Sequence, residues 1–556
     1  MTGPAGVIRI GNCSGFYGDR LAAMREMLDG GPLDVLTGDY LAELTMLILA
    51  RDRLRDPTAG YAKTFLRQLE DCLGLAMDRG VTIVVNAGGL NPAGLADAVG
   101  TLAGVLGVPA RVGHVVGDEL PAEGGVANAY LGCRGIVECL RGGADVVVTG
   151  RVTDASLLVG PAAWHHDWAA DDWDELAGAT VAGHVLECGA QATGGNFAFF
   201  RELADPRHPG FPIAEVAADG SAVITKQPGS GGVVSVGTIT AQLLYEIAEP
   251  AYVNPDVVAH FDTIELAPDG PDRVRMSGAR GGPAPAMLKV ATNYEGGYRN
   301  TMTMVITGLD VDAKAARAET MLFDLLGGRD QFAEVDVQLL AGPDATSHLR
   351  VTVKDPDPSK VGRRFANAVV ELMLASYAGI FTTTPPTSET AFGIYRPAFV
   401  PATAVEHAVV LPDGTRVVIP PSPSASLSAG GSTTTTGRQR AEGWGATERR
   451  PLGNVCGARS GDKGGNANVG VWARTDEAYE WLAGHLTVER FRALVPEATA
   501  LEVQRHELAN LRALNFVVVG LLGDGVASTT RFDAQAKGLG EYLRSRLVDL
   551  PTALLR

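Results

Sequence analysis

The chain has 556 residues, of which 46% are hydrophobic and 20% are charged, and its 47 basic and 64 acidic residues give a net charge of −17. This composition is typical of a globular protein with a sizeable core and of two to four domains, and it excludes a disordered chain, a collagen and a disulfide-stapled miniprotein. Because a negative chain repels phosphate backbones and anionic lipid surfaces, we expect neither nucleic acid nor a membrane as a partner. A small anionic substrate is compatible with this net charge, since local Arg or Lys side chains override it inside a cleft.

Cysteine usage predicts a cytoplasmic protein with reduced thiols. The six cysteines stand at positions 13, 72, 133, 139, 188 and 456, and no two of them have the CxxC spacing of a zinc ribbon or a redox pair. The first residues lack the charged and apolar segments of a signal peptide. No apolar run reaches the roughly 18 residues that a membrane helix requires.

Short apolar runs alternate with helical patterns over the first 160 residues. The predicted strands are Val7–Gly11, Asp34–Thr37, Thr82–Asn86, Arg111–Val115 and Asp145–Thr149. The predicted helices include Asp19–Met27, Tyr61–Met77 and Ala127–Leu140. Strands separated by amphipathic helices indicate right-handed βαβ crossovers, so the fold class is α/β with a mostly parallel sheet.

A second α+β region extends from about residue 200 to 410. Its predicted strands are Ala222–Thr225, Val233–Thr240, Val335–Leu340 and His348–Val353, and its predicted helices are Ala313–Leu326 and Lys360–Leu374. We therefore expect a core region over residues 1–415, with a break into two subdomains near residue 200.

Residues 420–440 are rich in Ser, Thr, Pro and Gly, a composition that predicts a flexible linker. This places a linker at 416–450 and a small α+β domain at 451–556. Within that domain, Ala467–Trp472 and Leu514–Val519 are the predicted strands.

Polar residues and glycines follow each of the five N-terminal strands. Because ligands bind outside the carboxyl ends of parallel strands, these residues predict one shared cleft. The alternative is that they are ordinary turn and N-cap residues. The substrate-binding candidates in these loops are Ser14, Gly15, Gly18, Asp19, Asp39, Asn86, Gly88, Gly89, Asn91 and Arg151, and Asp154 is a catalytic candidate.

The first of these loops has the spacing GxxxGxxG at Gly11, Gly15 and Gly18, which differs from the GxGxxG of dinucleotide-binding folds. It favours backbone amides that hold an anion or a carbonyl group.

The segment 182–197 contains the strongest catalytic candidates. On a helix, His184, Glu187, Cys188 and Gln191 would share one face and offer a base, a carboxylate and a thiol. Thr193 and Asn196, in the glycine-rich turn that follows, are substrate-binding candidates together with Gln191. The alternative is a buried polar face satisfied by the backbone, and one His with one Glu is too few to assign a metal site.

Two further glycine-rich segments carry cations. Lys226 opens a turn that contains Ser230, and both are candidates to hold a phosphate or a carboxylate, unless the segment is an ordinary hairpin turn. The other segment is predicted to be a binding loop that leads into a strand, although it lacks the Walker A pattern. Its candidates are Arg459, Ser460, Asp462, Lys463 and Asn466.

Eight segments together resemble the acyclic terpene utilisation protein A (AtuA) family. They are SGFYGDR (14–20), TGDYLAE (37–43), VVNAGGLNP (84–92), GADVVVTGRVTDASL (143–157), GHVLECGAQATGGNF (183–197), ITKQPGSGG (224–232), QLLYEI (242–247) and ARSGDKGGNANVGV (458–471). The resemblance spans nearly the whole chain and implies a large N-terminal region followed by a ferredoxin-like α+β domain. The family's setting in citronellol, geraniol and isovalerate breakdown implies branched or isoprenoid-type acyl-CoA thioesters, or related carboxylic acids, as substrates.

The first hypothesis is an enzyme with lyase or hydratase-type acid–base chemistry. His184 or Glu187 would transfer the proton, Asp154 or Asp39 would support it, and Arg151, Lys226 and Lys463 would hold anionic groups. A less favoured variant makes Cys188 a nucleophile. Coenzyme A would enter as part of the substrate, a divalent metal is left open, and a homo-oligomer is expected.

The second hypothesis is a non-catalytic binding or assembly subunit for an acyl-CoA carboxylase pathway, and a nucleotide-dependent ligase is a third. In the second hypothesis, the linker and the separate C-terminal unit would suit docking on a partner. The loop with Asp462 and Lys463 predicts that the small domain completes the cleft, from the same chain or from a neighbouring protomer.

Overall fold

The computed structural model describes residues 6–203, 205, 207–425 and 443–555. The chain divides into two units. The first comprises Met1–Thr292, Arg396–Val526 and Gln535–Arg556, and the second comprises Asn293–Tyr395 and Ala527–Ala534. Residues 426–442, the central part of the predicted linker, lie outside the described residues.

Five parallel strands form the centre of the first unit. The elements up to residue 187 are β1 (Val7–Asn12), α1 (Ala23–Gly30), β2 (Val35–Gly38), α2 (Glu43–Arg55), α3 (Lys63–Asp78), β3 (Thr82–Val85), α4 (Pro92–Leu106), β4 (Val112–Val116), β5 (Glu119–Leu120), β6 (Gly125–Ala129), α5 (Arg134–Arg141), β7 (Val146–Val148), α6 (Ser156–His166) and α7 (Trp173–Glu187). Strands β1, β2, β3, β7 and β4 lie side by side in that order and run parallel. The predicted α/β sheet is confirmed, and helices cover both faces of these apolar strands.

One predicted helix is wrong in its first half. Residues 127–129 belong to β6, and α5 begins only at Arg134. The side chain of Asn128 donates to Oδ2 of Asp118 at 2.8 Å, which pairs this segment with the preceding loop. A Cβ on Gly132 would meet the Asp256 carboxylate, so the chain turns there before the helix starts.

Antiparallel strands widen the sheet beyond β1. The elements from 207 to 286 are β8 (Pro212–Ala217), β9 (Ala222–Lys226), α8 (Val236–Leu243), β10 (Ala251–Val253), β11 (Val258–His260), β12 (Glu265–Pro268), β13 (Val274–Ser277), β14 (Arg280–Gly282) and β15 (Ala284–Pro285). Strands β8, β9, β13 and β12 follow β1 in the sheet. The predicted strand at 233–240 is wrong, because Ser235 and Thr238 form a capping box that starts helix α8.

The second unit is an α+β layer. The elements that begin between 287 and 390 are β16 (Met287–Thr307), α9 (Val311–Leu326), β17 (Glu334–Ala341), β18 (Thr346–Asp355), α10 (Pro358–Val361), α11 (Arg363–Glu371), β19 (Phe381–Thr382) and β20 (Thr390–Pro401). Strand β18 pairs antiparallel with β17 and with the later part of β16. Leu322 of α9 and Phe365 of α11 are fully buried in a core of this unit.

The C-terminal domain is a small α+β domain within the first unit. The remaining elements are β21 (Ala408–Val410), β22 (Arg416–Val418), β23 (Ser424–Ala425), β24 (Thr447–Pro451), β25 (Cys456–Lys463), β26 (Asn466–Ala473), α12 (Asp476–His485), α13 (Val488–Leu494), β27 (Val503–Leu508), β28 (Ala513–Val518), α14 (Leu539–Ser545) and β29 (Leu547–Pro551). Strands β25, β26, β28 and β27 form an antiparallel sheet in that order. The predicted binding loop at 459–468 is therefore wrong as a loop, since these residues form a β-hairpin that turns at 464–465.

The two faces of this small sheet pack differently. One face has its own core, which includes Leu482, Phe491 and Phe516. On the other face, α8 packs against β25 and β26, and Trp472 and Leu511 join the core of the N-terminal region. The N-terminal and C-terminal parts of the first unit therefore share one hydrophobic core.

In the described part of the chain, no helix combines the length and the apolar character needed to cross a membrane.

Candidate functional site

The candidate site begins where β2 and β3 end. Oδ1 of Asp39 accepts hydrogen bonds from the backbone N–H of Leu41 at 3.0 Å and from Nδ2 of Asn86 at 2.6 Å. Oδ1 of Asn86 accepts from the backbone N–H of Tyr40 at 2.7 Å. Burial raises the pKa of the Asp39 carboxyl, and the negative charge of Asp154 adds to the rise. The two loops therefore present a carboxyl that keeps its proton to a higher pH than a free aspartic acid.

A buried arginine follows β7. Arg151 is only 4% exposed, its backbone N–H donates to Oδ2 of Asp118 at 2.9 Å, and Nη1 donates to the carbonyl of Leu41 at 3.0 Å. Nη1 also lies 3.1 Å from Oδ1 of Asp154, and the guanidinium carbon lies 4.3 Å from the centre of the Tyr130 ring. Because contacts hold it from several sides, this cation has a fixed position at the strand ends.

The end of α7 is bound to the loop after β1. Nδ2 of Asn12 donates to the carbonyl of Leu186, and Oδ1 of Asn12 accepts from the N–H of Ser14 at 2.8 Å. Gly15 packs so closely that a Cβ atom there would lie 2.8 Å from the carbonyl carbon of Cys188. These contacts bring the last turn of α7 to the strand ends.

Helix α7 ends earlier than the sequence pattern predicts. It stops at Glu187, and Gly189 adopts φ of +57°, a conformation that favours glycine. Gln191 therefore lies in the 3₁₀ turn Gly189–Thr193 and not on the α7 face that carries His184. The predicted four-residue face is wrong for Gln191.

His184 and Glu187 face each other one helical turn apart. His184 is fully buried, and its Nδ1 lies 2.9 Å from Oε1 of Glu187. Burial, with the positive charge of Lys463 adding to it, lowers the pKa of His184 to about 4. Burial raises the pKa of the Glu187 carboxyl, and the negative charges of Asp154 and Glu246 add to the rise. At neutral pH the imidazole is neutral, and Glu187 keeps its proton more strongly than a free glutamic acid.

The second oxygen of Glu187 points to a role beyond packing. Among the described residues, Oε2 of Glu187 has no hydrogen-bond partner although the side chain is buried. A buried polar atom of this kind is rare and is available to a ligand. Cys188 follows directly, and burial together with the Glu187 charge raises the pKa of its thiol, which disfavours the thiolate that a nucleophile requires.

The C-terminal domain brings two cations to the same place. Nζ of Lys463, the last residue of β25, lies 5.4 Å from the centre of the Tyr252 ring, which itself packs on His184. The guanidinium carbon of Arg459 lies 4.3 Å from the centre of the Tyr245 ring. Arg459 also donates to Oε1 of Gln191. One chain therefore supplies both the strand-end residues and these cations.

Two protein-family models match the chain. The model of the acyclic terpene utilisation family protein AtuA matches residues 8–126 and 122–411, and the model of the AtuA ferredoxin-like domain matches residues 450–549. The chain belongs to the AtuA family. No curated protein matches it significantly.

Sequence reasoning overlooked three residues of this AtuA-family chain. Tyr245 and Glu246 lie in the QLLYEI segment, where a polar pair inside an apolar run is the only signal available. Tyr252 belongs to no sequence motif. Tertiary packing places its ring beside His184, with 5.2 Å between ring centres.

Lys226 and Ser230 are engaged in a turn of their own. Nζ of Lys226 donates to the carbonyl of Ser230 at 2.7 Å and lies 3.2 Å from Oδ2 of Asp272. The hydroxyl of Ser230 donates to the carbonyl of Gln227 at 2.7 Å. These contacts give Lys226 a structural role and favour the ordinary-turn interpretation.

The other candidate residues lie in loops, turns and strands. They are Ser14, Gly15, Gly18, Asp19, Gly88, Gly89, Asn91, Thr193, Asn196, Ser460, Asp462 and Asn466. Asn91, for example, caps α4 by accepting the N–H of Gly94 at 2.9 Å. Ser460 accepts the N–H of Gly540 at 2.8 Å inside the C-terminal domain. Within the described ranges, no three or more His, Cys, Asp or Glu side chains are arranged to hold a metal ion.

His184 predicts a specific loss of stability in acid. Its folded-state pKa of about 4 lies below the ordinary value of 6.5, so the folded protein resists protonation. The stabilising contribution of the neutral ring is full above pH 6.5 and is lost as the pH falls through 4, by on the order of 3 kcal/mol. The free energy of unfolding, measured with urea, should differ less between pH 7 and pH 4.5 for His184→Gln than for the wild type. Equal differences would show that His184 titrates normally.

Proposed function

We propose that this chain is an enzyme that transfers protons to and from a carboxylic acid or an acyl-CoA thioester, with lyase or hydratase-type chemistry. The observation that carries the proposal is Glu187, a buried carboxyl with a raised pKa and an oxygen that no described residue satisfies, which the charges of Arg151 and Lys463 reach. A carboxyl whose pKa is raised by burial is suited to act as a general acid.

The surrounding groups suit an anionic or carbonyl substrate. Arg151 and Lys463 both act on the ionisation of Glu187: their positive charges favour its charged form and oppose the rise in its pKa. Fixed cations stabilise negative charge that develops on a carboxylate or a thioester oxygen during proton abstraction. Neutral His184 supports Glu187 at 2.9 Å and is shielded from water.

The chemistry follows from these positions. In water elimination, a base removes the proton next to the carbonyl, the C–O bond breaks, and the hydroxyl leaves as water with the proton of Glu187. In carbon–carbon cleavage, the base removes the proton of a hydroxyl, the C–C bond breaks, and the new carbanion takes the proton of Glu187. Each step uses one proton acceptor and one donor.

The substrate class is proposed from the family. The family is named for acyclic terpene utilisation, and acyclic terpenes have branched isoprenoid skeletons. Branched or isoprenoid-type acyl-CoA thioesters and their free acids are therefore the substrates to test, with coenzyme A present only as part of the substrate.

Mass spectrometry of the purified protein with a panel of branched hydroxyacyl-CoA thioesters and free acids tests the proposal. We expect a product that differs by one water or is split at a carbon–carbon bond, and Glu187→Gln should lower its formation about 10²–10⁴-fold. Glu215→Gln is the matched control, since Glu215 is a glutamate with 10% of its side chain exposed that pairs with Arg9 and Arg273. No product with the wild type would contradict the proposal and favour a non-catalytic subunit, which co-purification with an acyl-CoA carboxylase would then test.

A further inference from the structure

The segment between α8 and β10 is held in place by two asparagines of the C-terminal domain. Nδ2 of Asn468 donates to the carbonyl of Leu244 at 2.9 Å, and its Oδ1 accepts from the backbone N–H of Glu246 at 2.8 Å. Nδ2 of Asn515 donates to the carbonyl of Ile247 at 3.2 Å. The two asparagines bond to each other at 2.6 Å, and both are fully buried. This bridge fixes the backbone on both sides of Glu246.

Glu246 itself has an unfavourable backbone conformation. Its φ is +56°, in the left-handed region where the Cβ of an L-residue is crowded by the backbone. Asn, Asp and Gly are the residue types that usually occupy this region. A glutamate held there by surrounding structure costs stability, and such strain concentrates at functional positions.

Glu246 lies near the cluster around Glu187, since Gln242, four residues before it in the chain, donates to the carbonyl of His184 at 3.2 Å. The negative charge of Glu246 raises the pKa of Glu187, Cys188 and Tyr252. It also acts to raise the pKa of His184, against the larger lowering by burial. Glu246 is partly exposed, whereas Glu187 is buried. Contact with water favours the ionised form of a carboxyl, and burial favours the neutral form. The two glutamates therefore differ in their contact with water: Glu187 is buried and Glu246 is partly exposed.

We propose that Glu246 is the proton acceptor that complements Glu187 as the donor, and that Asn468 and Asn515 are positioning residues that hold it there. This inference rests on the proposed function. In one turnover Glu246 takes a proton from the substrate and Glu187 gives one to the leaving hydroxyl or to the new carbanion. The total number of protons on the two carboxyls is unchanged, and exchange with solvent restores the starting state after product leaves. The C-terminal domain therefore contributes to catalysis through the backbone of the N-terminal region.

Substitutions at Glu246 test the acceptor role by two independent measurements. Glu246→Gln should lower kcat about 10²–10⁴-fold and remove the acidic limb of the pH–rate profile, since that limb reports the base. Glu246→Gly should abolish turnover as well, yet raise Tm by about 1–3 °C, because glycine relieves the left-handed backbone and removes a negative charge from an acidic cluster. Arg512→Gly is the matched control: Arg512 has φ of +51° and an exposed ion pair with Asp476, so Tm should rise without loss of turnover.

The positioning role is tested with asparagines that bridge the same two parts of the chain. Asn468→Ala should lower kcat and shift the acidic limb of the pH–rate profile, because Glu246 is no longer held beside Glu187. Asn510→Ala is the control, since Nδ2 of Asn510 donates to the carbonyls of Phe261 and Ile264 at 2.9 and 2.8 Å without contacting the 244–248 segment. It should lower Tm to a similar extent and leave the pH–rate profile unchanged.

The outcomes separate this inference from the proposed function. If the wild type forms product and Glu246→Gln does so at the same rate, or with the same acidic limb, the inference is wrong while the proposed function stands. If the wild type forms no product, the proposed function fails and the acceptor role of Glu246 fails with it. A fall in Tm for Glu246→Gly would show that Glu246 stabilises the fold, which overturns the inference whether or not the wild type forms product.

Discussion

Replacing Lys463 by methionine is expected to lower kcat/KM about 10²–10³-fold, because it removes a fixed positive charge from the site where negative charge develops. Methionine keeps a long apolar stem against the Tyr252 ring, so the change is mainly one of charge. The loss of the cation should also raise the pKa of His184 and further raise that of Glu187, since Lys463 acts on both. Steady-state kinetics and NMR titration of His184 measure the two effects, and the titration needs no substrate.

The second unit contains a matched control for this substitution. Nζ of Lys354 lies 4.9 Å from the centre of the Phe392 ring and 2.8 Å from Oε2 of Glu334, so it too is a lysine held over an aromatic ring. Lys354→Met should leave kcat/KM and the pKa of His184 unchanged. If Lys463→Met changes neither quantity, Lys463 does not act on the site.

Replacing Trp472 by alanine is expected to lower the free energy of unfolding by about 3–5 kcal/mol, the usual cost of deleting a buried tryptophan side chain. Trp472 lies on β26 and is 3% exposed. Its ring is stacked on Phe197 with 6.3 Å between ring centres and meets Phe199 edge-on at 6.4 Å. The substitution therefore opens a cavity where the C-terminal domain meets the N-terminal region, and urea unfolding should resolve two transitions in place of one.

Trp481 provides the comparison. It is 5% exposed, stacks on His485 within the C-terminal domain, and belongs to that domain's own core. Trp481→Ala should lower the free energy of unfolding of the C-terminal domain by a similar amount. It should leave the urea unfolding transition of the rest of the first unit unchanged. A single unaltered transition for Trp472→Ala would mean that the shared core contributes little.

The sheet and its polar loops were predictable because their signals are local. Strands such as Val146–Val148 are buried on both faces, and this burial leaves a continuous apolar run in the sequence. Gly and polar residues then mark each strand end, and parallel strands bring those ends to one edge. The same reasoning predicted that Arg151 and Asp154 line the cleft, and helical spacing predicted that His184 and Glu187 share one face.

The parts that were missed depend on tertiary structure. The run at 233–240 is apolar enough for a strand, and only the Ser235 capping box makes it a helix. The left-handed backbone of Glu246 is imposed by Asn468, more than 200 residues away in the sequence, and leaves no signal at Glu246 itself. Lys226 and Lys463 both lie in glycine-rich segments, so the sequence predicts the same role for both. In the structure, Asp272 lies beside Lys226, whereas Tyr252 lies beside Lys463.

The shared core of the first unit has a consequence for biosynthesis. Its N-terminal segment leaves the ribosome long before β25 and β26 are made, because the whole of Asn293–Tyr395 is translated in between. Until then, the apolar surface that later receives Trp472 and Leu511 stays open to water, a state that favours aggregation. Contacts this distant in sequence also form slowly. We therefore expect that nascent chains need a chaperone to shield this surface, and that truncated translation products are inactive.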